Sequence, residues 1–241
     1  MLRQGRACFV AAGSNWGVAF EGGQSVSKKH IEPRLVSFVG QKGGVGKSAL
    51  ARLLAVATAR QGQNVLLADF DLEQLTSVEW NTVRLRAGLL PQLDARPFKS
   101  LKKLKKAEES FDLIIADTRG LADDLAKEVA EESDVVFMPT GTSGDDLRPT
   151  LAFAHALVKQ GGEGKITFIL SKTGRSESQI RLATKAITSA GFDLLPALWG
   201  YRDGFQSEFD AGRAGSEARN IHLRQIATDV ELALLARAMG P

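Results

Sequence analysis

Residues 42–48 read Lys-Gly-Gly-Val-Gly-Lys-Ser, and Ala49 leads from them into a helical pattern. These residue types at this spacing serve a polyphosphate. Gly43, Gly44 and Gly46 carry no Cβ, so the backbone can wrap close to phosphate oxygens and take positive φ where the turn needs it. Lys47 reaches the β- and γ-phosphates, and the Ser48 hydroxyl is a ligand for Mg2+. The free N–H groups and positive end of the following helix face the same anion. One position is unusual. The common G-x-x-x-x-G-K-[ST] pattern wants glycine where this chain has Gln41, and a second lysine, Lys42, heads the loop. A chance glycine-rich turn is the competing account. The complete pattern between a strand and a helix argues against it and implies nucleotide binding.

Phosphoryl transfer needs positioning and charge neutralisation more than covalent chemistry, so a hydrolase needs Mg2+ and a group to orient water. Two apolar runs end in carboxylates suited to that work. Val65-Leu66-Leu67-Ala68-Asp69-Phe70-Asp71 places two carboxylates on one face by period-2 alternation. Leu113-Ile114-Ile115-Ala116-Asp117 runs into a switch segment, Thr118-Arg119-Gly120. A strand-end aspartate often only caps the next helix. With a phosphate loop upstream, Asp71 and Asp117 read as site residues, while for Asp69 a site role and a structural or supporting one stay open. Asp123 with Asp124, and Asp145 with Asp146, are explained by helix capping and helix-end charge.

The elements that must position these groups are legible as an alternation. Strand candidates are Leu35–Val39, Val65–Asp69, Leu113–Asp117, Val135–Pro139, Ile166–Ser171 and Leu194–Trp199. Most are unbroken Val/Ile/Leu runs, as parallel strands covered on both faces require. Helices are expected near 48–60, 99–109, 121–132, 145–160, 177–190 and 222–239, with Gly62 and Gly191 as C-terminal caps. The fold class is therefore α/β, a doubly wound, mostly parallel sheet with helices on both faces and ligands at the carboxyl ends of the strands.

Composition agrees. The 241 residues, 44% hydrophobic and 24% charged, fit one domain over residues 34–241 with a sizeable core. Residues 1–33, rich in Gly and Ser, read as a poorly ordered extension that only faintly imitates a signal peptide. No apolar stretch approaches the roughly 20 residues that span a bilayer. Cys8, the one cysteine, excludes internal disulfides and cysteine-ligated clusters, and His30, His155 and His222 lack metal-ligand spacing.

Lys42 to Ser48 resembles the signature-lysine loop of the ParA/MinD group of deviant Walker P-loop ATPases. Asp69-Phe70-Asp71, Gln74 and Thr76-Ser77-Val78-Glu79-Trp80 resemble the second motif of ParA partition ATPases, nearest to their short plasmid forms. The resemblance covers about residues 34–235. It implies ATP and Mg2+ as ligands, with Lys42, Gly43, Gly44, Val45, Gly46, Lys47, Ser48 and Ala49 around the nucleotide. It implies that Lys42 crosses a nucleotide-sandwich homodimer to the partner's phosphates, that Asp71 orients the attacking water, and that Ser48 and, through water, Asp117 hold Mg2+. Gly120 and its neighbours would sense the γ-phosphate. Three departures stand out: Leu72-Glu73 in place of Pro-Gln, Thr118-Arg119-Gly120 in place of a proline-containing segment, and Ser171-Lys172 in place of an Asn-Arg or Asn-Lys pair that reads adenine.

The same resemblance implies non-specific DNA binding in the ATP-bound dimer, a ParB-like stimulating protein, a plasmid or other DNA cargo, and a cytoplasmic, nucleoid-associated location without membrane contact. A C-terminal basic set (Arg175, Arg181, Lys185, Arg202, Arg213, Arg219, Arg224) fits it. Residues 99–106 hold five lysines, with Phe98, Leu101, Leu104 and Ala107 turned to the sheet; a solvated helix face and a phosphate-contact patch both explain them. Two other classes compete. A MinD-like membrane-positioning ATPase needs a basic amphipathic C-terminal helix, and Ala227–Pro241 has Asp229, Glu231 and few cations. A small-molecule ATP-dependent ligase on the same fold would turn over ATP without DNA, partner or dimerisation.

Overall fold

Each apolar run becomes a strand whose alternate side chains enter two different cores. The computed structural model describes residues 33–240, apart from 108–109, 121–122, 163, 175 and 201; the extension expected over residues 1–33 lies, Pro33 excepted, outside the described residues. In chain order the elements are β1 (Arg34–Phe38), α1 (Lys47–Arg60), β2 (Val65–Asp69), α2 (Thr76–Arg86), β3 (Asp94–Pro97), α3 (Leu101–Lys105), β4 (Leu113–Asp117), α4 (Asp124–Glu132), β5 (Val135–Thr140), α5 (Gly144–Val158), β6 (Ile166–Thr173), α6 (Glu177–Ser189), β7 (Asp193–Leu194), β8 (Trp199–Gly200), α7 (Gly204–Asp210), a 3-10 turn (Gly215–Glu217) and α8 (Ile221–Met239). The sheet runs β3-β2-β4-β1-β5-β6-β7, with β8 beside the end of β6, and all pairings are parallel.

Val65 and Leu67 of β2, Leu113 and Ile115 of β4, and Val135 and Phe137 of β5 face one core, closed by α1, α2 and α8. Their neighbours Leu66, Ala68, Ile114 and Ala116 face a second core under α3 and α4, and Val136 and Met138 face a third under α5 and α6. Helices therefore cover both faces. Helix α1 is buried along nearly its whole length because α8 covers the side turned away from the sheet. The central strand β1, flanked by β4 and β5, delivers the phosphate loop where the direction of winding reverses, the place such sheets present to ligands.

Several elements differ from expectation. The expected strand Leu194–Trp199 is two short pieces, β7 and β8, since Pro196 between them has no N–H to continue a ladder. The helix expected over 99–109 is confined to Leu101–Lys105, where repulsion within the lysine run opposes extension. Strand β3 and helices α2 and α7 carried no apolar period. In α2 the buried positions are Ser77, Trp80, Asn81 and Arg84, helically spaced but mostly polar. Gly62 and Gly191 do take positive φ, 82° and 84°, at helix ends.

Candidate functional site

Three strand ends meet in register: Phe38 of β1 lies opposite Asp117 of β4, and Asp117 opposite Asp69 of β2. From Phe38 the chain enters the loop and then α1, where Gly46, just before the helix, has φ 95° and supplies no side-chain cap. Gly44 has φ 73°. The uncapped helix start leaves N–H groups for an anion. Lys47, only 5% exposed, donates from Nζ to the Lys42 carbonyl at 3.1 Å and so closes the loop on itself. Burial lowers its pKa, opposed by the charges of Asp117 and Asp71.

Beneath the loop lies a carboxylate floor. Asp117 is 2% exposed; burial, then the neighbouring Asp69, pushes its carboxyl up to about 6. Its Oδ2 accepts from Ser77 Oγ at 2.7 Å, and Ser77 Oγ accepts in turn from Arg52 Nε at 3.2 Å. Its Oδ1 is buried without a hydrogen-bond partner among the described residues. Asp69, one of the two strand-end acids of β2, anchors the backbone that follows it. Its carboxylate takes the N–H groups of Asp71 at 3.0 Å, Ser77 at 2.9 Å and Val78 at 3.3 Å. It thereby caps α2, whose own leading residue, Leu75, is in the left-handed region at φ 48° and caps nothing. Asp71 is half-buried, and its Oδ1 accepts from the N–H groups of Glu73 and Gln74. Ser48 Oγ accepts from Thr76 Oγ1 at 3.3 Å, and the nearby Ser48 hydroxyl opposes the upward shift of Asp117.

These residues fit ATP with Mg2+. The floor offers a partnerless buried carboxylate oxygen beside a hydroxyl, and the loop above it has a close approach that only glycine permits. A Cβ on Gly120 would fall 2.6 Å from Gly43 Cα, so the segment after β4 touches the phosphate loop directly.

Ion pairs of two cations, Lys42 and Arg119, sit on the rim. Lys42 Nζ lies 2.8 Å from Asp146 Oδ1, with 45% of the lysine side chain exposed. This holds the Asp146 carboxyl below the usual range, helped by the Ser143 hydroxyl. Asp146 therefore does more than support its helix, and Gly141 leaves it room: a Cβ there would fall 2.3 Å from Asp146 Oδ2. Arg119 lies 3.6 Å from Glu73 and 2.9 Å from Asp123. The departures noted separately after Asp71 and after Asp117 are thus partners across the two segments.

A cavity of about 590 Å3 adjoins the loop, lined by Gly44, Gly46, Lys172, Trp199, Arg202 and Phe205, among others. Trp199 stacks on Phe205 at 4.8 Å, and its indole edge lies 3.2 Å from where a Gly46 Cβ would stand. Ser171 is buried, with its hydroxyl on the Thr140 carbonyl at 3.4 Å. The side chains that the cavity presents beside the loop include Lys172, Trp199 and Arg202. Sequence reasoning missed Arg52, Ser77, Asp146 and Trp199. The pattern of α2, Ser77-Trp80-Asn81-Arg84, was the available signal for Ser77; nothing local marked the others.

The chain matches a family model described as the CobQ/CobB/MinD/ParA nucleotide binding domain over residues 36–198. It is 27% identical over 168 residues to the maintenance of carboxysome distribution protein A of Gloeobacter kilaueensis, spanning 68% of this chain and 76% of that protein. A putative plasmid partition protein of Borrelia burgdorferi B31 bound to AMPPNP matches with TM-score 0.64 at 16% identity, over 86% of this chain and 100% of that one. The septum site-determining protein MinD of Pyrococcus horikoshii OT3 with Mg-ADP matches with TM-score 0.65 at 19% identity, over 83% and 94%. At these identities the two structures establish a shared fold.

Proposed function

The chain belongs to the CobQ/CobB/MinD/ParA nucleotide-binding family as an ATPase of the ParA/MinD type, and from that premise we propose that its ATP site is a dimerisation switch for partitioning a DNA cargo. The observation that carries this reading is the contrast between the loop's two lysines. Lys47 is enclosed beneath the loop, whereas Lys42 stands exposed on the rim, tied only to the rim carboxylate of Asp146. A second cation so placed serves a neighbouring molecule's phosphates better than its own. The AMPPNP and Mg-ADP complexes of the two solved relatives support ATP and Mg2+ as ligands here.

In this reading Lys47 and the loop N–H groups hold the phosphates, and Ser48 with Asp117, through water, holds Mg2+. When bound, that ion neutralises charge on the phosphate oxygens. Asp71 has one oxygen fixed by two backbone N–H groups, which aims the other at the attacking water. Gly120, pressed on Gly43, transmits the state of the loop to the segment beyond β4. Lys42 leaves Asp146 for the partner's phosphates, a trans-acting charge of the kind worth about 10³–10⁵ in rate in other NTPases. The dimer then holds DNA without sequence preference on the nucleoid, until a ParB-like partner stimulates hydrolysis. The cargo is a plasmid or similar replicon. Helix α8 supports this over a membrane-bound reading, since Ala227, Val230, Leu234, Leu235 and Ala238 are all buried and the exposed Ile221 and Leu232 stand eleven positions apart, not in a stripe for lipid.

The test is binding to arbitrary duplex DNA with ADP, with ATP, and with ATP plus Lys42→Ala, at two salt concentrations. Binding that needs ATP, weakens with salt and disappears in the variant is the expected result. ATP turnover by a monomer that never binds DNA would overturn the reading in favour of a small-molecule ligase.

A further inference from the structure

The fold treats the two basic groups of this chain differently. In the C-terminal third several cations are already engaged: Arg181 lies 3.4 Å from Glu177, Arg213 lies 3.5 Å from Glu208, and Arg224 donates to the Ala218 and Arg219 carbonyls. Around α3, at the β3 edge of the sheet, the situation is reversed. Lys105 is paired, 2.6 Å from Glu132. Lys99, Lys102, Lys103 and Lys106 are exposed and form no ion pair among the described residues. We infer that these four lysines form the surface that holds the phosphate backbone of duplex DNA. The inference rests on the DNA-binding reading above and moves the contact away from the C-terminal set.

Packing makes the choice of partner. Phe98, Leu101 and Leu104 are buried in the core with Leu66, Phe70, Ile114 and Val129. No apolar side chain of this segment is left to enter a bilayer, and a surface helix without one is poorly suited to lipid. Lysines are compact, mobile charges without the fork geometry that selects a particular carboxylate, which suits contact with any phosphate along a strand. The five residues of α3 rise roughly 7.5 Å, over which duplex DNA presents about four charges, and Lys99 and Lys106 extend the patch at either end. The exposed Glu128 and Glu132 of neighbouring α4 bound the patch on one side, and Glu132 is occupied by Lys105. Acids there repel a phosphate backbone and confine it to the lysine side.

The experiment uses the full chain with ATP and a fluorescent duplex of arbitrary sequence, followed by anisotropy over a salt series. Three proteins are compared with wild type: Lys99, Lys102, Lys103 and Lys106 all changed to Gln; the same four changed to Arg; and Lys185→Gln with Arg219→Gln, two exposed members of the C-terminal set that lie outside the cavity. Circular dichroism and DNA-free ATP turnover confirm that each is folded, since none of the four lysines lies in the phosphate site. The glutamine set is expected to weaken binding at least about tenfold and to flatten the salt slope by up to about 3.6, at about 0.9 per phosphate lost. The arginine set is expected to bind like wild type. Unchanged affinity and slope in the glutamine set, or loss confined to the Lys185/Arg219 variant, would overturn this inference and leave the DNA-binding reading standing. Absence of wild-type binding overturns both. Binding of wild type to phosphatidylserine vesicles that the glutamine set loses, with DNA binding intact, assigns the patch to lipid and overturns it too.

Discussion

The phosphate end of the site and the cavity beside it are built from different materials. At the phosphate end Lys47, Asp69, Asp117 and Arg52 are all buried, and each acts on at least one of the others by charge or through Ser77. In the cavity the walls are rings, Trp199 on Phe205 at 4.8 Å and Phe205 on Phe209 at 5.8 Å, with cations at the mouth. A buried charge that loses its partner is left desolvated and unpaired, a costly state. A ring that is trimmed loses contact area and little more. On the function proposed above, the difference divides the tasks: the phosphate end is expected to govern rate, and the cavity how tightly a nucleoside is held.

The strongest way to break that division is Lys47→Ala. It is expected to lower turnover by about 10²–10³, the usual effect of removing one preorganised group from a charged site. Steady-state ATP hydrolysis measures it, and a loss below tenfold would contradict the assignment. Next is Gly120→Ala, whose Cβ would stand 2.6 Å from Gly43 Cα. Overpacking there is expected to destabilise the chain by about 1–3 kcal/mol in urea unfolding, with slower turnover because the displaced neighbour is the phosphate loop itself.

The pH dependence sharpens the same contrast. Asp117 titrates at about 6 in the folded chain against an ordinary value of 3.8. Between those values the folded state holds a proton that the unfolded state has released. Stability of the nucleotide-free protein should therefore fall as pH rises through this window, by up to about 1.4 kcal/mol per unit, and level off above it. A salt-bridged carboxylate would give the opposite slope. Urea unfolding from pH 4 to pH 7, set against an Asp117→Asn variant that should flatten the curve, measures it.

On the cavity side, Trp199→Phe is expected to raise the KM for ATP about 2- to 10-fold through lost stacking, with kcat unchanged. A fall in kcat instead would mean that the cavity shares in the chemistry. Smallest of all is Asp146→Ala. Its pair with Lys42 is half-exposed, so the stability change should stay under about 1 kcal/mol. ATP-dependent dimerisation, followed by sedimentation velocity, should become easier once Lys42 is released.

Much of the phosphate end was legible because its signals are local. The loop, the helix start and the aspartates Asp69, Asp71 and Asp117 each lie within a few residues of an apolar strand, and the strands announce themselves by composition. Helix α2 was not legible, because its buried face is Ser77, Trp80, Asn81 and Arg84, which serve a charge network and not an oil-like core. The sequence marked Ser171 only as a departure from a base-reading pair; where its hydroxyl goes is set by the register of β6 beside β5, which buries it on Thr140.

The sequence by itself determined that this chain winds a parallel sheet around a phosphate loop with two lysines, since strand composition, glycine placement and strand-end acids are properties of short segments. Only the tertiary structure decided which distant residues share that site. Lys42 meets Asp146 across 104 positions of chain, and Ser77 meets Asp117 across 40. Trp199 reaches Gly46 only because β8 lies beside β6. No short segment encodes such meetings. They follow from the order of strands in the sheet, which is set by how all the helices together cover its two faces.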